Sequence, residues 1–167
     1  MSDSYHELAQ ICLNGHVINT LAREYPETNQ PFCAKCGSKT ITTCPSCNTP
    51  IRGKYIIPGI LDLASEYSKP GYCYKCGKPY PWTESSINAA KELADTLDDL
   101  SDNDKVELKQ SIQDLSQDSP RTPVAEAKFK KIMRKVGKET FEGMKSILTD
   151  IISESVKKTI FKPKCAT

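Results

Sequence analysis

The chain has 167 residues, of which 38% are hydrophobic, and a formal net charge of +2. That length allows one or two small domains, and the apolar content is too low for one large core. No apolar run approaches the ~18 residues of a membrane-spanning helix, and Met1-Ser2-Asp3-Ser4 begins neither a basic region nor a secretory apolar run, so a cytoplasmic location is expected.

Residues 1–9 are short and polar and read as frayed or docked on the first ribbon of chain after them. From Gln10 to Thr20 the pattern predicts a strand, a tight turn bearing Cys12-x3-His16, and a return through Val17-Ile18-Asn19. Residues 23–31, with Pro26 and Pro31, form a loop into Cys33-x2-Cys36. Lys39 to Thr43 reads as a short strand leading to Cys44-x2-Cys47. Ile51 to Ile57 is β-branched and aromatic, a strand ended by Pro58-Gly59. Residues 59–70 are a longer excursion with a helical turn around Leu61-Asp62-Leu63-Ala64, before Cys73-x2-Cys76 flanked by strands near Tyr72 and Lys78–Tyr80.

Those four pairs supply eight donors, enough for two closed tetrahedral sites, one Cys₃His and one Cys₄. A Cys-x2-Cys turn offers both sulfurs to one ion at ~2.3 Å. The residue after the second cysteine often needs positive φ, and Gly37, Asn48 and Gly77 stand there. Disulfides are disfavoured in a reducing cytosol. A redox pair would need one Cys-x2-Cys in a βαβ setting. Iron suits a Cys₄ site, but the histidine of the first set favours zinc. A catalytic zinc keeps an open position. Both sets close with four ligands, and the spare donors His6 and Cys165 lie outside the cluster, so two structural zinc ions are expected. Sequential pairing assigns Cys12, His16, Cys33 and Cys36 to one ion and Cys44, Cys47, Cys73 and Cys76 to the other. Interleaved pairing, with the first and third pairs sharing an ion, is the alternative. The seven-residue link between Cys36 and Cys44 favours the sequential one.

The run Gln10-Ile11-Cys12-Leu13-Asn14-Gly15-His16-Val17, the knuckles, and Gly77-Lys78-Pro79-Tyr80-Pro81-Trp82-Thr83 together resemble a family of uncharacterised bacterial proteins. The resemblance covers nearly the whole chain. It implies a bacterial origin, a zinc-ribbon-like N-terminal half and a helical C-terminal half, and carries no activity with it.

The helical half begins with Thr83 as N-cap, Glu84 at N1 and a staple between Trp82 and Ile87. Ile87, Ala90, Leu93, Ala94, Leu97 and Leu100 mark the apolar face of a helix over residues 84–99. Ser101, followed by Asp104, starts another to about residue 117, with Val106, Leu108, Ile112 and Leu115 inward. After Ser119-Pro120, Thr122 caps and Pro123 opens a long periodic stretch to Phe161, interrupted only by Gly137 and Gly143. As one straight helix it would span ~57 Å, longer than the first two can cover.

Charge divides the chain. Residues 84–120 carry three Lys/Arg against ten Asp/Glu, and residues 121–167 carry twelve against five. The acidic hairpin should therefore dock on the basic helix. In the first half, thiolates on zinc bring the charge near neutrality, which weakens a nucleic-acid reading. Tyr55, Tyr72, Tyr74, Tyr80 and Trp82 lie among Arg52, Lys54, Lys75 and Lys78, a pattern that either clamps a single strand or covers the metal of a small ribbon. No phosphate loop, nucleophile elbow or catalytic triad is legible.

The sequence thus predicts an α+β protein. A metal-stapled double zinc ribbon (1–82) precedes an α-helical domain (83–167), made of an acidic hairpin (83–118) and a long helix (122–161), either in one piece or broken at Gly137 or Gly143. The expected function is that of a non-enzymatic adaptor with a protein partner, or self-association through residues 144–160. A nucleic-acid-binding ribbon and a membrane-surface effector are the alternatives.

Overall fold

The computed structural model describes residues 4–60 and 65–161. The expected turn at Leu61–Ala64, and Cys165, lie outside the described residues. The chain divides into two compact units, Met1–Glu84 and Ser85–Thr167.

The first unit is built from strands too short to stand alone. β2 (Gln10–Cys12) pairs antiparallel with β3 (Val17–Asn19) and with β4 (Thr40–Ile41), giving the order β3-β2-β4. A two-stranded sheet joins β1 (Tyr5–Leu8) to β5 (Arg52–Ile56). Residues 5–8 are therefore an integral strand and not a frayed end. Glu7 explains part of this: its buried carboxylate accepts from the backbone N–H groups of Leu8 at 2.7 Å and Glu24 at 3.0 Å. Gly53 explains the rest, since a Cβ there would meet the Thr20 carbonyl oxygen at 2.3 Å, so only glycine lets the backbones approach. The strands expected beside the last knuckle reduce to a single bridge, Tyr72↔Pro79.

The core of this unit is small: Ala9, Ile11, Ile51, Tyr80 and Trp82 with the sulfurs of Cys44 and Cys73. Tyr80 and Trp82 stack at 4.7 Å, and the indole N–H donates to the Pro70 carbonyl at 3.0 Å. A core of this size is small for a unit of some eighty residues.

Helix α1 (Pro81–Asp95) starts three residues earlier than the expected Glu84. Pro81, with its preset φ and no N–H, takes the first turn, and the Tyr80 carbonyl accepts from the N–H groups of Thr83 and Glu84. Thr83 is thus inside the helix and is not its cap. Trp82 packs in the first core and Ile87 in that of the second unit.

Within the second unit, α2 (Asp102–Leu115) is capped by Ser101, whose hydroxyl accepts from the Asp104 N–H. Its inward face is Leu108, Ser111, Ile112 and Leu115. Val106, expected inside, is 64% exposed. Ser111 is tolerated there because its hydroxyl donates to the Glu107 carbonyl at 2.8 Å. α3 (Thr122–Met133) takes Arg121 as its cap residue, one position before the expected Thr122. Thr122 still ties the turn together, accepting from the Ser119 N–H and donating to the Gln117 carbonyl, each at 3.0 Å. Opposite charges meet between these segments: Arg121 pairs with Asp114, Lys128 with Glu107 and Lys135 with Asp104.

The long helix expected over 122–161, in one piece or broken at Gly137 or Gly143, is three: α3, α4 (Lys138–Leu148) and α5 (Glu154–Ile160). Gly137 and Ser153 adopt extended backbone at the two restarts, and the Ser153 hydroxyl caps α5 by accepting from the Val156 N–H. Gly143 continues within α4. The physical reason is cover: folding back buries Met144, Leu148, Ile152, Val156 and Ile160 against Phe129 and Ile132, where a straight rod would leave them in water.

Candidate metal centres

Each knuckle is a local solution to one problem, bringing two donors to a point while aiming N–H groups at them. Gly37, Asn48 and Gly77 have φ of 70°, 57° and 71°, as their positions demand. In each turn this residue's N–H donates back to the carbonyl of the first cysteine at 2.8 Å. The first cysteine's N–H in turn donates to a carbonyl beyond the turn: Cys33 to Ser38, Cys44 to Thr49, Cys73 to Lys78. The Cys12/His16 turn achieves the same with one residue more. Gly15 sits at φ 83° and its N–H reaches the Cys12 carbonyl, while the His16 N–H points at Cys12 Sγ at 3.2 Å.

The four turns meet in two sets. The donor atoms of Cys12, His16, Cys33 and Cys36 lie within 4.8 Å of one another, as do those of Cys44, Cys47, Cys73 and Cys76. Pairing is therefore sequential, and the first and third pairs do not share a centre. A tetrahedral ion ~2.3 Å from sulfur and ~2.05 Å from nitrogen requires about 3.8 Å between sulfurs and about 3.5 Å between sulfur and nitrogen. The observed edges are 3.8 Å for Cys12–Cys36, 3.8 Å for Cys44–Cys76 and 3.6 Å for Cys47–Cys73. His16 presents Nδ1, 3.6 Å from Cys12 Sγ and 3.5 Å from Cys33 Sγ. A disulfide would need about 2.05 Å. The donor sets thus fit one tetrahedral metal ion each.

The surroundings favour thiolates at Cys36, Cys47 and Cys73 and oppose them at Cys76 and at Cys12, which burial raises. The N–H and hydroxyl of Ser38, helped by His16 and Asn14, hold the Cys36 thiol down at about 5. Asn14 Nδ2 lies 3.5 Å from Cys36 Sγ and donates to Ser38 Oγ at 2.8 Å. The Thr49 hydroxyl and N–H lower Cys47 likewise. Burial raises Cys73, but the N–H groups of Cys76 and Lys75 and the adjoining sulfurs bring it to about 6. The Lys78 N–H lowers Cys76, yet burial and three neighbouring sulfurs push it up to about 11. Four sulfurs this close ionise together only around a cation.

Ser38 and Thr49 were not singled out from sequence, although both stand two residues after the second cysteine of a pair, where a hydroxyl reaches back to the sulfur. The spare donor His6 belongs to neither set. It lies 3.3 Å from the Gly53 carbonyl oxygen and 5.0 Å from the Tyr55 ring. Of the aromatics among the basic residues, Tyr80 and Trp82 are buried, whereas Tyr55 and Tyr74 are about half exposed.

A family model described as an uncharacterized protein conserved in bacteria, DUF2321, matches residues 5–160. The chain belongs to this family. The match runs through both metal sets and the helices of the DUF2321 chain. No curated protein and no solved structure matches it. Among the described residues, no helix is long and apolar enough to cross a membrane.

Proposed function

We propose that this DUF2321 protein is a cytoplasmic, non-enzymatic adaptor whose first unit is a zinc-stapled binding module. One observation carries the reading. Each centre closes with four strong donors at tetrahedral spacing, so neither leaves the open position that a catalytic zinc needs for water or substrate. The imidazole in the first set favours zinc over iron, and the metal's work is to order a unit whose apolar core is too small to do so. The partner is a protein, and its surface is on the ribbon. Of the ten exposed large hydrophobic side chains among the described residues, eight belong to the first unit, including Tyr25 and, next in sequence to donors of the first set, Phe32 (61%) and Val17. Only Val106 and Val124 belong to the second. The stripe at residues 144–160, by contrast, is spent on the chain's own core, which removes the argument for self-association or lipid contact through it.

Cobalt substitution tests this reading. Two equivalents per chain should give tetrahedral thiolate spectra that azide and cyanide leave unchanged. A spectrum shifted by such ligands would reveal an open position and restore an enzymatic reading.

A further inference from the structure

The β1–β5 sheet carries a cleft of about 370 Å³, separate from both metal sets and lined by His6, Arg52, Lys54, Tyr55, Glu66 and Tyr67 among others. Its volume is at the lower end for small-molecule sites, on the order of 300–1,000 Å³. The walls combine two kinds of surface. One is flat and aromatic: Tyr55 is 49% exposed, with the His6 ring tilted against it at 5.0 Å. The other is cationic and preorganised. The Arg52 guanidinium lies over the Tyr74 ring at 3.8 Å, in the turn between Cys73 and Cys76. Tyr67 Oη donates to the Arg52 carbonyl at 2.7 Å and holds that stretch of backbone.

A guanidinium whose carbon lies 3.8 Å from a ring centroid can stack on it, which leaves N–H groups for a phosphate and a second face for a planar group. An aliphatic or purely acidic ligand would use the charge and waste the rings. Glu66 in the wall argues against a surface for dense negative charge, and its carboxylate can accept from an exocyclic amine. Near-neutrality of the zinc-loaded unit is no obstacle, because at ~8 Å screening length the local cations decide. We infer that this cleft binds a nucleotide unit, with its base against Tyr55 or the Arg52 plane and its phosphate on the Arg52 edge. The unit comes either from a single strand or from a free nucleotide. The inference rests on the zinc-stapled unit proposed above and adds a ligand at its β1–β5 sheet.

Fluorescence anisotropy on the full zinc-loaded chain tests it, using labelled oligo(dT), labelled oligo(A) RNA and a fluorescent AMP, with labelled polyglutamate as a charge control. At low salt the nucleotide probes should bind and polyglutamate should not. Arg52→Ala and Tyr55→Ala should each weaken binding about tenfold, and Arg52→Ala should reduce the salt slope by about 0.7. Lys131→Ala in the second unit should change nothing. Tighter binding of the oligonucleotides than of AMP assigns the site to a strand, and equal binding assigns it to a free nucleotide. Zinc is counted on every sample. If Arg52→Ala loses metal, Arg52→Lys replaces it, keeping the charge but not the planar group. No binding of any nucleotide probe by chain holding two zinc ions would overturn the site and leave the structural role of zinc standing. Polyglutamate binding as well as the oligonucleotides, or equal losses in Lys131→Ala, would also overturn it.

Discussion

Gly15, in the first knuckle, lies against Trp82 so closely that a Cβ on Gly15 would stand 2.8 Å from Trp82 Cβ. The same atom would be 2.8 Å from Lys69 Nζ, which donates to the Gly15 carbonyl at 2.9 Å. With φ at +83°, the position is closed to side chains on both steric and conformational grounds. The turn that offers Cys12 and His16 is thus braced by Trp82, which comes after the second metal set in the chain, and by Lys69, which comes just before its last pair. Gly15→Ala should destabilise the first unit by about 2–4 kcal/mol and weaken metal at the first centre. Denaturant unfolding of the zinc-loaded chain measures it, and a loss below about 0.5 kcal/mol would mean that the brace is slack.

The two centres should load independently by count. Wild type should hold two zinc ions, Cys33→Ser one and Cys73→Ser one, by elemental analysis of freshly purified protein. His16→Cys should retain both, because a thiolate at that corner preserves the tetrahedron, whereas His16→Ala should hold the first ion weakly. Excess chelator should abolish amide protection in the sheets of the first unit. Retention of that protection without metal would contradict the staple.

Asp104 supplies a pH test in the second unit. The Lys135 ammonium, 2.7 Å away, and then the Ser101 hydroxyl hold its carboxyl below the ordinary aspartate value. A depressed folded value contributes stability above the unfolded value of about 3.9, and that contribution is lost as pH falls through the folded one. Carboxyl NMR titration should place Asp104 below other exposed aspartates, and Lys135→Met should raise it. The variant should also show a shallower loss of stability below about pH 4 than wild type.

Gly137 opens α4 with no side-chain cap, in extended backbone that any residue adopts, and nothing lies within 4 Å of where its Cβ would be. Gly137→Ser should therefore stabilise the second unit by about 0.5–1 kcal/mol, through a new cap and a less flexible unfolded chain. A destabilised variant in thermal unfolding would show that the glycine serves another purpose.

Thr83 Oγ1 is buried without a hydrogen-bond partner among the described residues. Replacing it with the near-isosteric Val removes an unsatisfied group, so Thr83→Val should be neutral or stabilising by about 1 kcal/mol. A loss of more than about 1 kcal/mol would mean that the hydroxyl is satisfied in solution, by water in particular.

What the sequence determined by itself was whatever one turn of chain can encode. The Cys-x2-Cys spacing, the residues that tolerate positive φ at 37, 48 and 77, and the Ser101 cap are local, so their chemistry is readable without knowing the rest. The grouping of donors into two sets was legible for the same reason, because the short link from Cys36 to Cys44 leaves little freedom. Only the tertiary structure decided the pairing of Tyr5–Leu8 with Arg52–Ile56, the placing of Arg52 over Tyr74, and the contact of Gly15 with Trp82. It also decided that the periodic stretch from Val124 to Phe161 would fold back as three helices. Periodicity records which side chains want cover, not where along the chain the cover comes from. Partners tens of residues apart leave no spacing to read, and the burial they gain together selects them.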